Sequence, residues 1–194
     1  MQGLNAILTS ASRVAILRAL YEANGPKSGR AIERACGLSN RATMLALEHL
    51  VEMGVVNREI AGRAHEYTLN EASYLVAKAL KPAFDAEVLF WDDLQRLIRR
   101  TVRPRPQAAV ATGPMARGET EYGGRLMLMM LFSSSRERMR ALTAMPRLSE
   151  QVRARYAMAL EHHLLDSTTM DRKEYGPLWD RVEREGILLF GTLP

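Results

Sequence analysis

Two hydrophobic periods alternate along the first 70 residues. From Ser10, the positions Val14, Ile16, Leu17, Leu20 and Tyr21 fall close to helical spacing, and Asn24-Gly25-Pro26 stops the run. A second helix is predicted from Ser28, with Ala31, Ile32 and Ala35 inward and Gly37 closing it. Leu38 packs in the turn that follows. Ser39 is a good N-cap for a third helix from Asn40 to Met53, ended by Gly54. On that helix Thr43, Ala46, Leu47 and Leu50 fall on the core side, and Asn40, Arg41, Met44, Leu45, Glu48 and His49 on the open side. The period then drops to two: residues 55–60 read as a strand, 61–64 as a turn and 65–70 as the returning strand.

Helical spacing resumes from Ala72 to Arg100, through Leu75, Val76, Ala79, Leu80, Phe84, Val88, Leu89, Leu94 and Leu97. Pro82 interrupts it, which predicts two helices or one kinked helix. Residues 96–106 carry five arginines and no acid, and two prolines close the segment, so it reads as a helix end running into a linker. Beyond it, residues 107–112 suit a buried strand, residues 113–119 a glycine-bracketed loop, and residues 125–132 an almost continuously apolar strand. The predicted organisation is residues 1–70, a helical connector and basic linker over 71–106, and a second domain over 107–194.

Two helices across a tight glycine-containing turn, a third helix, then a hairpin: this order over residues 8–70 resembles the winged helix-turn-helix domains of bacterial transcriptional regulators. The resemblance implies that the third helix enters the major groove of double-stranded DNA and that the hairpin, the wing, touches the backbone or minor groove. Carried over by position, Ser39, Asn40, Arg41, Met44, Leu45 and His49 become candidate DNA contacts, with Arg58, Arg63 and His65 from the wing. Arg41 suits bidentate reading of guanine, and Met44 or Leu45 contact with thymine methyls. A protein-interaction or dimerisation module is the alternative for the same fold. The apolar stripe of residues 72–100 suits packing between domains or between two copies, and a homodimer would supply two half-site contacts.

Gly113-Pro114-Met115-Ala116-Arg117-Gly118-Glu119 stands where the minimal bacterial nucleotidyltransferases carry the pattern GSxARGE, and residues 175–191 resemble that family's closing helix and terminal strand. The resemblance implies a nucleotidyltransferase-like α/β domain, so the expected class is α+β: winged helix-turn-helix, helical connector, then this domain. Active members place Ser-Asp-x-Asp about five residues after the motif glutamate, and the two aspartates hold the metal that bridges the nucleotide phosphates. Here the alignment gives Gly124 at the serine, Arg125 at the first aspartate and Met127 at the second. Pro114 replaces the motif serine. Asp166 is the candidate for the third carboxylate, and no Asp-x-Asp pair occurs anywhere in the chain. A catalytically inactive domain is expected, without cofactor or metal. Gly113, Arg117 and Gly118 remain as an anion-binding remnant.

Composition adjusts this picture only slightly. An apolar fraction of 47% and a charged fraction of 25% over 194 residues are ordinary for a globular protein. Cys36 is the single cysteine, so it is expected to pack as a small apolar residue. His49, His65, His162 and His163 show no metal-ligand spacing. Neither a secretory signal nor a stretch long enough to cross a bilayer is present, which predicts a cytoplasmic protein. A net charge of +5 favours a polyanionic partner. The expectation is a DNA-binding regulator whose second domain serves dimerisation, partner binding or sensing. An active nucleotidyltransferase that modifies a partner protein, in the manner of an antitoxin, is the alternative. A scaffold with no nucleic-acid role is a third.

Overall fold

A computed structural model describes residues 3–23, 25–62, 64–119, 124–166 and 172–193, without the side chains of 172–175. The chain divides into two compact units, Met1–Leu89 and Phe90–Pro194. The segment expected as a connector is therefore shared: its first part packs into one core and its last helix into the other.

The first unit runs α1 (Gly3–Leu8), α2 (Ala11–Tyr21), β1 (Lys27–Ser28), α3 (Gly29–Cys36), α4 (Asn40–Glu52), β2 (Val56–Ala61) and β3 (Ala64–Leu69). A π-turn (Val76–Leu80) and α5 (Lys81–Val88) follow. Serine hydroxyls start its three principal helices: Ser10, Ser28 and Ser39 accept from the backbone N–H groups of Arg13, Ala31 and Ala42 at 3.4, 3.3 and 3.3 Å. Each such cap contributes about 1 kcal/mol. Gly37 ends α3 at φ +63°, a left-handed conformation that sets the turn into α4. The strands form an antiparallel sheet in the order β1-β3-β2. Beneath it Ile16, Leu17, Ile32, Leu47 and Leu50 are buried with Tyr67, and Val76, Leu80 and Phe84 extend the same core under the π-turn and α5. Cys36 packs half-buried against this core, and burial pushes its thiol pKa up. Arg18 on α2 binds Glu87 on α5 through two contacts, 2.7 and 2.8 Å.

The second unit opens with α6 (Phe90–Thr101); the helical run before it changes from π to α immediately ahead of Pro82 and breaks at Leu89. Then come β4 (Ala108–Thr112), β5 (Arg125–Phe132), α7 (Ser135–Ala141), α8 (Met145–Tyr156), β6 (Ala159–Asp166), α9 (Arg172–Glu185) and β7 (Ile187–Phe190). The sheet order is β6-β5-β4-β7, with β5 and β6 parallel and the other pairs antiparallel. Strand alternation divides the side chains between two cores. Leu126, Leu128, Met130 and Phe132 face α6, α7 and α8, whereas Met129 and Leu131 face Trp179 and Val182 of α9. Asp93 on α6 is gripped by Arg155 at 2.6 and 2.8 Å and by the Tyr156 hydroxyl at 2.7 Å, which ties α6 to the end of α8. These contacts, the Tyr156 hydrogen bond first, hold the Asp93 carboxyl below its ordinary pKa. The expected α+β class is the class observed: three helices and a hairpin in the first unit, and a mixed four-stranded sheet covered by helices on both faces in the second.

Gly191 closes β7 at φ +84°, and a Cβ there would lie 2.0 Å from the Gln107 carbonyl oxygen and 2.7 Å from Ala108 Cα. Both are backbone atoms of the central strand's start, so neither can swing aside. Gly191→Ala is expected to lower stability by roughly 2 kcal/mol or more. Denaturant unfolding checks this; a midpoint equal to that of the parent would show that the β4–β7 end tolerates a side chain.

Candidate functional site

In the first unit the residues expected to meet DNA separate into free and engaged groups. Arg41, Leu45 and Glu48 are exposed on α4, with Leu45 56% exposed. Thr43, Ala46, Leu47 and Leu50 are buried, as their spacing predicts. The Ser39 hydroxyl is committed to the N-cap. Asn40 donates its amide N–H to Glu33 at 3.0 Å, and His49 Nδ1 lies 3.1 Å from the Arg13 guanidinium. Met44 is half-buried against the core. Arg41 and Leu45 are thus exposed and unengaged, beside the equally exposed Glu48.

The wing is two-faced. Register places Arg58 opposite Tyr67 and Ile60 opposite His65 on the face shared with the core, and Glu59 opposite Glu66 on the other. The cationic and apolar face borders a groove of about 370 Å³, lined by Ala64, His65 and Tyr67 of the wing, Asn40 and Met44 of α4, and the start of α3 at Ser28, Gly29 and Arg30. Arg30, exposed at the start of α3, lies on this groove and was not among the sequence candidates. Helical spacing alone gives no sign of it, because its position follows from where α3 docks. Arg63 lies outside the described residues.

In the second unit the loop 113–119 leaves β4 and meets the end of α9. Gly113 sits at φ +81°, and its N–H donates to Glu185 Oε1 at 3.0 Å. Arg117 reaches Glu185 at 2.5 Å and Glu119 at 2.8–2.9 Å. Glu185 is thereby held below its ordinary pKa, chiefly by the hydrogen bond from Arg117, and Glu119 is held down by the same guanidinium. An open cleft of about 940 Å³ lies over the loop, with Pro114, Met127, Arg181 and Arg184 on its walls. Gly113 and Arg117 converge on the Glu185 carboxylate of the chain itself, whereas the Gly118 N–H donates to the Met115 carbonyl at 3.1 Å.

Arg125 and Met127 occupy alternate positions on β5, on the face turned toward α9. The Arg125 guanidinium lies 3.8 Å from Glu161 of β6, the residue paired with Met127. Met127 fills the space beneath Gly113: a Cβ on that glycine would come within 2.6 Å of the Met127 sulfur. A guanidinium and a thioether do not fit a hard divalent cation, which takes oxygen ligands. Among the described residues no group of three or more His, Cys, Asp or Glu is arranged to hold a metal.

Asp166 does not stand beside them. It is fully buried at the far end of β6, opposite Phe132, on the face packed by α7, where Ser135 and Arg138 donate to its carboxylate at 3.1 and 3.0 Å. Seven residues of strand, about 23 Å, separate the Arg125 and Phe132 positions. Its role is to fix α7 to the sheet, so the third-carboxylate assignment is corrected. The acid that does share the Arg125 face is Glu161. Sequence reasoning missed it, together with Arg181, Arg184 and Glu185, because parallel pairing of β5 with β6 and the docking of α9 are long-range events.

No family model matches the chain, and a search of curated proteins returns no match. Solved structures match over part of its length. A toxin–antitoxin complex with AMP-PNP is 16% identical over 53% of this chain and 73% of that one, at a TM-score of 0.37. The homodimeric winged helix-turn-helix domain of a possible ArsR-family regulator from Mycobacterium bovis is 20% identical over 45% and 81%, at 0.37. An ArsR-like transcriptional regulator from Rhodococcus sp. RHA1 is 24% identical over 49% and 81%, at 0.33. Similarity at this level carries no function across to this chain.

A carboxylate with a depressed pKa stabilises the folded state above its unfolded pKa, near 4.3, and the contribution is lost as pH falls through the folded value. Glu185→Gln is therefore expected to lower the melting temperature by a constant amount above about pH 5, with the deficit shrinking progressively as the pH falls below the unfolded value. Thermal unfolding of both proteins across that range tests it. A deficit that persists unchanged into acid would mean that packing, not charge, holds α9 to the loop.

Proposed function

We propose that this chain is a DNA-binding transcriptional regulator, acting as a repressor, with a second unit that keeps a nucleotidyltransferase-like fold without its catalysis. The observation that carries the reading is the first unit's groove. It brings the start of the recognition helix α4, the N-terminus of α3 and the cationic face of the wing to one surface. Arg41 then serves as the base-reading donor, Leu45 as a contact for thymine methyls, and Arg58 and His65 as backbone contacts. Glu59 and Glu66 point away from that surface, which fixes the side from which a duplex approaches. The Ser39 cap and the Asn40–Glu33 bond hold the start of α4 in place for that reading.

Arg125 and Met127 at the metal-ligand positions support the absence of nucleotidyl transfer. A cation added near Arg125 would meet repulsion where the reaction needs attraction. The second unit then serves dimerisation, partner binding or sensing, and a homodimer presents two winged units to two half-sites. Among the described residues no helix is long and apolar enough to cross a membrane. One observation favours the other reading, an active nucleotidyltransferase acting on a partner protein: the motif loop still lines an open cleft with Arg117, Arg181 and Arg184.

Incubation with labelled nucleoside triphosphates and magnesium separates the two, with no incorporation expected and clear incorporation supporting the alternative. In vitro selection of bound duplexes should return a site with two-fold symmetry. Arg41→Ala is expected to weaken binding to the selected site by about 1–3 kcal/mol and to relax preference at one base position. Arg58→Ala should weaken all sequences alike. Equal losses on every sequence for Arg41→Ala would remove it from base reading.

A further inference from the structure

The charge of this chain is not where a winged domain would need it. Residues 1–89 hold ten Lys and Arg against nine Asp and Glu, whereas residues 90–194 hold 17 against 13. The excess is concentrated on one element. On α6, Leu94, Leu97 and Ile98 are buried against the sheet, and Arg96, Arg99 and Arg100 fall on the opposite face, with Arg103 and Arg105 continuing past its end. Spacings of three and four residues put Arg96, Arg99 and Arg100 within about one third of the helix circumference.

The fold accounts for part of this stripe. Arg99 stacks 4.4 Å over the Phe190 ring, and Arg103 donates to the carbonyls of Arg99 and, at 2.9 Å, Val102, capping the helix. Arg100 in the last turn suits the helix dipole. Arg96 and Arg105 gain nothing comparable: Arg96 is 65% exposed and only 3.8 Å from Asp93, and Arg105 lies exposed beyond the helix. Among the described residues no acid pairs with Arg99, Arg100, Arg103 or Arg105 within 4.0 Å. Guanidinium groups kept in water without an acid partner are ready to receive phosphate oxygens bidentately. From Arg96 to Arg100 the stripe runs about 6 Å along the helix, the axial length of about two phosphates on one strand of a duplex, and Arg103 and Arg105 extend it past the helix end.

We propose that the arginine face of α6 is a second DNA-binding surface, which grips the phosphate backbone of a duplex without reading its sequence. It relies on the DNA-binding reading only for the identity of the polyanion. The nearly neutral first unit then selects sequence, while α6 supplies the electrostatic affinity that its charge cannot. Apolar and aromatic groups for stacking unpaired bases do not stand in the stripe, which favours duplex over single strands.

The test uses the full chain and three variants: Arg96→Gln/Arg100→Gln/Arg105→Gln, which spares the packed Arg99 and Arg103; Arg41→Ala/Arg58→Ala; and both sets combined. Affinity for a selected duplex and for a scrambled one is measured between 50 and 300 mM salt. The triple glutamine variant should keep its melting temperature and its preference between the two duplexes. Its slope of log affinity against log salt should fall by about 0.9 for each arginine that meets a phosphate. An unchanged slope overturns the inference and leaves the winged reading standing. Loss of slope in the triple variant with no effect of Arg41→Ala/Arg58→Ala keeps the α6 surface and removes the winged reading. Failure of the parent protein to bind any duplex overturns both.

Discussion

Strand β5 has to be covered on both faces, and the second unit is arranged around that need. Its residues from Leu126 to Phe132 are buried with the single exception of Met127, which is half-buried at the cleft. A strand apolar on both sides cannot sit at the edge of a one-layered sheet, so α6, α7 and α8 pack on one face and α9 on the other. The same alternation decides the chemistry at its start. Arg125 and Met127 share the α9 face, and so does Glu161 across the parallel ladder, while Asp166 is carried to the opposite face.

Covering the α9 face brings Glu185 to the mouth of the loop 113–119. The result is a closed electrostatic circuit in which the backbone N–H of Gly113 and the Arg117 guanidinium both donate to one carboxylate. A loop built to approach an anion has been given one by its own chain. This links the packing of the sheet to the behaviour of the cleft: the loop's geometry is held by an intramolecular partner rather than awaiting a ligand.

The first unit follows a different economy. Its helices are set by serine caps and a left-handed glycine, and the surface proposed to meet DNA is assembled from three elements with little net charge. Polar groups near that surface are largely committed to one another: Asn40 to Glu33, and His49 to Arg13. What stays free is a guanidinium, an apolar side chain and a wing whose acids face away. Such a surface suits selection by shape and a few contacts, and leaves long-range attraction to charges elsewhere in the chain.

Much of this was legible in the order of residues. The three helices and hairpin of the first unit follow from local signals, because caps, glycine stops and a change of period from 3.6 to 2 act over a few residues. The burial of Thr43, Ala46, Leu47 and Leu50 follows from the same spacing, as do the strands at 107–112 and 125–132. The identity of Arg125 and Met127 at the motif positions is likewise a property of sequence alone. Tertiary structure decided what depends on distant partners: the helical break at Leu89, the placement of Asp166 on the face away from Arg125 and of Glu161 on the same face, and the docking of Glu185 into the loop. Strand register and helix docking are set by cores assembled from residues tens of positions apart, and no local pattern encodes which acid will arrive at a given loop.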